Sequence, residues 1–241
     1  MNVRDLWQEK PDNYDEIDMI CSMEPVKYES KKSRKGKRGQ RPRVLCTIDD
    51  PLTKSLNFIL NKFAIGNLEQ TGNDLIRLLT IMKEHPKHQD YVLHDLFCRG
   101  VRNPNLVRLY SDLLHYLVTQ RPEMKEKIVS LLEYLFYSQF HQEGCNAICM
   151  FLGHLYKHNI IRSSIIRYCL ELLLQKEKYV EFCSLLSVPF VLLEFYAYFE
   201  EKIDVMLTNS KLSSKIKFQL MDIKEQIYTR FENLKSICQF I

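Results

Sequence analysis

Glycine and proline are scarce in this sequence. Only 7 glycines and 8 prolines occur among 241 residues. These two residue types supply much of the chemistry of tight turns, so their scarcity argues against a sheet of many short strands. Leucine, lysine and glutamate, which favour helices, are abundant instead. The composition therefore predicts an all-α fold.

Long apolar runs are also missing. The longest, around residues 185–193, is far shorter than the roughly 20 residues that span a bilayer, so we expect no membrane segment. The 8 cysteines are spread along the chain, mostly inside apolar stretches, and the first residues are acidic and polar rather than typical of a secretory signal. Reduced thiols in the cytosol or nucleus are expected.

Motifs of catalysis are absent from the sequence. It contains no glycine-rich phosphate loop, no nucleophile elbow and no zinc-protease helix, and its carboxylates are typical of solvated helix faces. We expect no enzyme activity, no catalytic residue and no cofactor.

One pattern resembles a zinc site. Cys145, Cys149, His154 and His158 have the spacing C-x3-C-x4-H-x3-H. At 100° per residue on one helix, however, the histidines lie roughly opposite the cysteines, and no turn brings the two pairs together. The pattern predicts cysteines in the core, histidines toward the surface, and no metal.

Two stretches at the start of the sequence carry charge of opposite sign. Residues 1–26 carry two basic and seven acidic side chains, and residues 27–43 carry nine basic and one acidic. The second stretch has almost no apolar side chains, so burial cannot offset the entropy of ordering it. We predict a flexible N-terminal arm over 1–50, followed by one folded domain over 51–241.

Helical spacing begins at residue 51 and continues to the end. Apolar residues at i, i+3, i+4, i+7, i+8 and i+11 define one helix stripe, which contains Leu106, Leu109, Tyr110, Leu113, Leu114 and Leu117. Helices are predicted at 51–63, 67–83, 89–101, 104–120, 122–140, 145–157, 162–175, 178–188, 189–206 and 213–231. Asn103 before Pro104 is a predicted cap, as are Asp50, Asn67, Ser163 and Ser213. Five hairpins of about 36 residues have the size of helical-repeat units and predict an α-solenoid.

Four segments resemble one known family. They are ILNKF at 59–63, LHDLFCRGVRNPNLVRLYSDLLHYL at 93–117, CNAICMFLGHLYKHNII at 145–161 and SSKIKFQLMDI at 213–223. In this order they resemble the HEAT-repeat middle domain of eukaryotic translation initiation factor 4 gamma, over about residues 52–226. Pro189 departs from the family, which usually has glycine at that turn.

The resemblance implies a scaffold. Such a domain clamps the DEAD-box RNA helicase of initiation, contacts both helicase lobes and binds RNA. In the family, a cap-binding protein docks on a Tyr-x-x-x-x-Leu-Φ helix that precedes this domain.

Tyr14, Met19 and Ile20 have that spacing, with methionine in place of leucine. In a helix, Tyr14, Ile17 and Ile20 form an apolar edge that can fold onto a partner's groove. The same pattern also occurs inside predicted core helices. Docking of a cap-binding protein is the functional interpretation, and an idle tail is the alternative.

The basic stretch at residues 27–43, called the basic run below, is suited to contact with RNA. It can neutralise phosphates along a nucleic acid backbone with little dependence on sequence. Nuclear import or a merely solvated linker are the alternatives for the same residues. The candidate RNA-binding residues are Lys31, Lys32, Arg34, Lys35, Lys37, Arg38, Arg41 and Arg43.

The last predicted helix carries a stripe of Ile216, Leu220, Ile223 and Ile227, and Phe218 lies about 200° from Ile216 around the helix. Phe218 with Lys215 and Lys217 is the candidate helicase contact, because an aromatic beside cations is typical of binding anchors. Burial of Phe218 in the core of a solenoid is the alternative.

Three functions remain at this stage. The first is a cytoplasmic translation initiation scaffold that binds mRNA, the DEAD-box helicase and the cap-binding protein, with no membrane partner. The second is a nuclear RNA-processing adaptor, in splicing, mRNA decay or ribosome assembly, built on the same domain. The third is a helical-repeat adaptor unrelated to RNA.

Overall fold

The computed structural model describes residues 51–82, 86–140 and 145–238. The predicted N-terminal arm, 1–50, lies outside the described residues. Within them the chain forms ten α-helices and no strand, which confirms the predicted all-α class. The helices are α1 Pro51–Leu60, α2 Leu68–Ile81, α3 Pro86–Arg102, α4 Val107–Gln120, α5 Met124–Phe140, α6 Asn146–Lys157, α7 Ser163–Gln175, α8 Tyr179–Leu186, α9 Pro189–Thr208 and α10 Ser214–Cys238.

The helices pair into five antiparallel hairpins. α1 packs on α2, α3 on α4, α5 on α6, α7 on α8 and α9 on α10. The even-numbered helices also contact one another in order from α2 to α10, so they form one continuous layer against which the odd-numbered helices pack. Stacking of this kind buries the apolar face that each hairpin leaves open, which confirms the predicted α-solenoid.

The predicted stripe on α4 is mostly correct. Tyr110, Leu113, Leu114 and Leu117 are buried, as is Val107. Leu106 is not part of the stripe, because the chain forms a short 3-10 turn at Pro104–Leu106 and α4 begins one residue later. Leu106 is therefore exposed at the start of the helix rather than packed beneath it.

Helix capping differs from the predictions. The side chains of Asn67 and Asn103 form no cap bond at the helices that follow. Asn67 Oδ1 instead accepts a bond from the backbone N–H of Ala64 at 2.8 Å. After Asn103 the chain forms a 3-10 turn, in which the backbone N–H of Leu106 donates to the Asn103 carbonyl at 2.9 Å. Ser163 is the first residue of α7 rather than its cap. Ser213 is confirmed, since its hydroxyl accepts a bond from the backbone N–H of Ile216 at 3.4 Å. Asp50 lies outside the described residues.

The break between α8 and α9 has a local cause. Val188 has the extended backbone that a residue before proline favours, with φ −67° and ψ 124°, and Pro189 is the first residue of α9. Proline cannot donate the next backbone bond, so α8 ends and the chain turns by 119°. Among the described residues no single helix is long and apolar enough to cross a membrane, although this bent pair reaches the required length and composition together.

Candidate functional site

The start of α10 forms the candidate site. A turn at residues 209–213 precedes the helix, and the side chain of Asn209 accepts a bond from the backbone N–H of Lys211 at 2.9 Å. Lys215 and Lys217 then fall in the first turn of α10. The dipole of a helix favours anions at this end, so cations there weaken the helix slightly. Stability of α10 therefore does not account for these lysines.

The inner face of α10 follows the predicted stripe. Leu220, Ile223 and Ile227 are buried, and Ile216 packs against the core at its edge. This face of α10 lies toward the core, and α10 packs on α8 and α9. The stripe fixes the rotation of α10 about its axis, and so determines which residues of the helix face outward.

Phe218 faces outward. Its side chain is 63% exposed, so the core alternative for this residue is wrong. Lys215 beside it is also exposed, and Lys217 is half-buried. Neither lysine forms a salt bridge with a residue that the structure describes.

Two more apolar residues extend the outer face, Met221 and Tyr228, at 52% and 55% exposure. They lie three and ten residues after Phe218, which places all three within about 80° on the helix. Sequence reasoning missed both, although the same 100° rule that separated Phe218 from the stripe would have found them. We call Phe218, Met221 and Tyr228 the α10 face.

Contacts with α9 hold the α10 face in place. Lys224 donates to Asp204 across the hairpin, and this carboxylate raises the pKa of Lys224. On α9, the hydroxyl of Tyr196 donates to Glu200 at 3.4 Å, and burial raises the pKa of Tyr196. The bond from Lys224 to Asp204 joins α10 to α9, whereas the bond from Tyr196 to Glu200 lies within α9.

A second polar cluster, which the sequence did not indicate, joins α7 to α9. The hydroxyl of Tyr198 donates to Glu171 at 2.8 Å, and Arg167 donates to the same oxygen at 3.2 Å. The guanidinium of Arg167 also lies 4.1 Å from the centre of the Tyr198 ring. Since the charges of Arg167 and Glu171 already satisfy each other, this cluster acts as a brace between helices.

The residues of the zinc-like pattern are separated, as predicted. Cys145 and Cys149 are buried, and the hydrogen bond that the Cys149 thiol donates to the sulfur of Cys145 raises the pKa of Cys149. His158 instead contacts Asp112 of α4, with 2.8 Å between Nε2 and Oδ1. In the part of the chain that the structure describes, no group of three or more metal-ligating side chains is arranged to hold an ion.

The other cysteines of the core are not poised for reaction. Burial raises the pKa of Cys169, and it raises the pKa of Cys183 to about 12. A thiol that stays protonated at neutral pH is a poor nucleophile. These two cysteines therefore pack as small apolar side chains.

The remaining predicted sites cannot be located relative to the α10 face. Tyr14, Met19 and Ile20, the candidate dock for a cap-binding protein, lie outside the described residues, and so does the whole candidate RNA-binding run from Lys31 to Arg43. No protein-family model matches the chain, and no curated protein matches it. The fold defines a helical-repeat solenoid, and membership of the initiation factor family stays a prediction.

Proposed function

We propose that this chain is a non-enzymatic scaffold of translation initiation. In this proposal the solenoid binds the DEAD-box RNA helicase of initiation through Lys215, Lys217 and Phe218, and the basic run binds mRNA. The segment around Tyr14 docks a cap-binding protein. The protein works in the cytoplasm and brings the helicase to the capped end of a message.

The exposure of Phe218 is the observation that supports this proposal most directly. The residue belongs to the SSKIKFQL segment, which resembles the initiation factor family, and it projects from a helix whose opposite face is firmly buried. Phe218 is 63% exposed, so most of its apolar area stays in water, which is unfavourable in free energy unless a partner covers it. The α10 face has the composition of a binding anchor.

A solenoid suits this function physically. The hairpins stack along one continuous layer, and α9 of the last hairpin also packs on α6, so surface residues are held at fixed separations. A scaffold that favours one arrangement of two helicase lobes needs such a surface, since differential binding of one arrangement shifts the equilibrium toward it.

The test is stimulation of the RNA-dependent ATPase of the initiation helicase by the purified protein. We expect stimulation by the wild type and a loss of at least tenfold in its apparent affinity on Phe218→Ala, as for the removal of an aromatic anchor. Phe190→Ala is the matched control, because Phe190 is also an exposed aromatic of the last hairpin but lies at the far end of α9. No stimulation by the wild type, or equal effects of the two variants, would contradict the proposal.

The basic run supports a second candidate function, a nuclear RNA-processing adaptor. Nine cations within 17 residues are as typical of an import signal as of an RNA-binding arm. Imaging of the tagged full-length chain separates the two. Strong nuclear retention that depends on the run would support the adaptor and would count against a scaffold of cytoplasmic initiation.

A further inference from the structure

The first hairpin has an open groove on its surface. The groove lies between α1 and α2 and has a volume of ≈ 610 Å³. Its floor is apolar and its rims carry charged residues. The lining residues are Lys54, Ser55, Phe58, Ile59, Asp74, Arg77, Leu78 and Ile81.

Two large apolar side chains of this groove are in solvent. Phe58 is 64% exposed and Ile81 is 79% exposed, whereas Ile59 and Leu78 below them pack against the core. The ammonium of Lys62 lies 3.7 Å from the centre of the Phe58 ring and covers it only in part. Terminal repeats of solenoids normally present a polar outer face. The first hairpin instead exposes Phe58 and Ile81 on this face, an apolar surface that another segment can cover.

A segment of this chain is suited to be that cover. Residues 44–48, Val-Leu-Cys-Thr-Ile, carry no charge and end three residues before Pro51, the first residue of α1. The preceding residues, 27–43, are too basic to fill an apolar groove. The uncharged segment is thus tethered directly to one wall of the groove.

The distances allow the segment to fold back. Lys54 and Phe58 lie three and seven residues into α1, about 4.5 and 10.5 Å from its start at 1.5 Å per residue. Five extended residues span about 16 Å, so residues 44–48 can cover both positions after a reversal at Asp49 and Asp50. Such a reversal would bring two carboxylates beside the N-terminus of α1, where the helix dipole favours them.

We propose that residues 44–48 dock in the α1–α2 groove and cap the solenoid. The side chains of Val44, Leu45 and Ile48 supply the apolar surface that covers Phe58 and Ile81. Docking also fixes the point at which the basic run leaves the domain, since Arg43 directly precedes the segment. Docking of residues 44–48 does not depend on which molecule the arm binds.

Cys46 lies in the middle of the segment and reports its burial without any substitution. The test measures the rate at which N-ethylmaleimide alkylates Cys46 in the native full-length protein, read by mass spectrometry, against an unfolded peptide of residues 40–50. We expect alkylation at least tenfold slower in the protein. Alkylation at the rate of the free peptide would overturn the proposal.

Variants of the groove then identify what protects Cys46. Phe58→Asp with Ile81→Asp is expected to restore the rate of the free peptide, and both positions are exposed enough to accept a carboxylate without unfolding. Val205→Asp is the matched control, because Val205 is 65% exposed on α9, far from the first hairpin, and should leave Cys46 protected.

Protein concentration separates this proposal from docking of a second copy. Protection by the chain's own segment is independent of concentration, and the protein stays monomeric by light scattering. Protection that rises with concentration, together with a dimer, would overturn the proposal in favour of a second copy. Protection that survives in the double groove variant would also overturn it, because the segment would then be buried elsewhere.

Discussion

Glycine is used in this fold where two helices cross closely. A Cβ atom on Gly100 of α3 would lie 2.4 Å from Cζ of Phe151 on α6, well inside van der Waals contact. Phe151 itself packs edge-on against Phe97, with 4.9 Å between ring centres, and both rings are fully buried. The Phe151 ring cannot move away without disturbing the core around it. The close packing of α3 on α6 therefore depends on the absence of a side chain at residue 100.

Substitution of this glycine is a direct test of the packing. Gly100→Ala should lower the free energy of unfolding by about 1–3 kcal/mol, as expected for an overpacked core. Gly66→Ala is the control, since nothing lies within 4 Å of a Cβ at that position. Urea denaturation followed by circular dichroism measures both. A loss at Gly66 as large as that at Gly100 would show that the crossing of α3 and α6 is not as close as described.

His154 makes stability depend on pH. Burial is the main cause that lowers its pKa to about 4 from the ordinary 6.5; Asp112 opposes this shift, and Arg108, Lys157 and His158 add to it. The unfolded chain therefore binds the proton more tightly than the folded one. The contribution of His154 to stability is complete above pH 6.5 and is lost as pH falls toward 4.

The variant His154→Gln removes this titration. Between pH 7 and pH 4.5 we expect the wild type to lose about 1–2 kcal/mol more stability than the variant, after a discount for the exposed part of the ring. The carboxylates titrate in both proteins and cancel in the difference. Guanidinium denaturation at several pH values gives the comparison, and parallel profiles for the two proteins would refute the assignment.

At the scale of single helices, apolar spacing predicted most of what the structure shows. Nine of the ten helices begin and end within about three residues of their predicted ranges, because each has one stripe that must be buried. The tenth, α10, extends to Cys238, past its predicted end at 231. Capping was harder to predict. Asn67 and Asn103 are good cap residues by type, yet the Asn67 side chain bonds to the backbone of Ala64 and Lys62, and Asn103 precedes a 3-10 turn. A cap preference of about 1 kcal/mol does not decide against such local alternatives.

The candidate site was predictable in part for the same reason. The stripe of Ile216, Leu220, Ile223 and Ile227 determines one buried direction of α10. One helix alone does not reveal whether a second neighbour covers the other side, so the exposure of Phe218 was left open. The groove between α1 and α2 was not predicted, because it depends on the relative orientation of the two helices.

If the basic run binds RNA as proposed, its affinity rests on charge. The variant with Lys31, Lys32, Arg34 and Lys35 changed to glutamine should bind single-stranded RNA more weakly, with a shallower dependence on salt. Each phosphate contact on a single strand contributes about −0.7 to the slope of log K against log salt concentration. Loss of half of the eight candidate residues should therefore remove about half of the slope that the arm provides.

Fluorescence anisotropy of a labelled RNA at several salt concentrations measures this slope. The control is a variant in which four exposed cations of the solenoid are changed to glutamine, which should leave the slope nearly unchanged. These are Arg102, Lys125, Lys176 and Lys211. If the control lowers the slope as much as the arm variant does, the RNA site lies on the solenoid rather than on the basic run.

At the scale of the whole molecule, the number of hairpins followed from chain length and helix spacing, whereas their arrangement did not. Nothing in the spacing indicates that the even-numbered helices form the continuous layer. That outcome depends on close contacts between helices far apart in sequence, such as Gly153 of α6 against Val188 before α9. Pairwise fits of this kind are properties of the folded chain.

The proposed function also concerns the whole molecule, because a scaffold must hold two partners at once. If Tyr14, Met19 and Ile20 dock a cap-binding protein, Tyr14→Ala should weaken that binding by at least tenfold, the effect of removing an aromatic anchor of about 2 kcal/mol. Tyr28→Ala is the matched control, because Tyr28 is an aromatic of the same arm outside the motif. Titration calorimetry with the purified cap-binding protein measures both affinities.

The link between partners is then tested by capture on a cap-analogue resin. Resin loaded with the cap-binding protein should retain the helicase only when this chain is present, and Tyr14→Ala and Phe218→Ala should each abolish retention. The two variants fail differently: Tyr14→Ala loses both the chain and the helicase, whereas Phe218→Ala keeps the chain and loses the helicase alone. Retention of the helicase by the Tyr14 variant would mean that the bridge does not pass through the predicted docking segment.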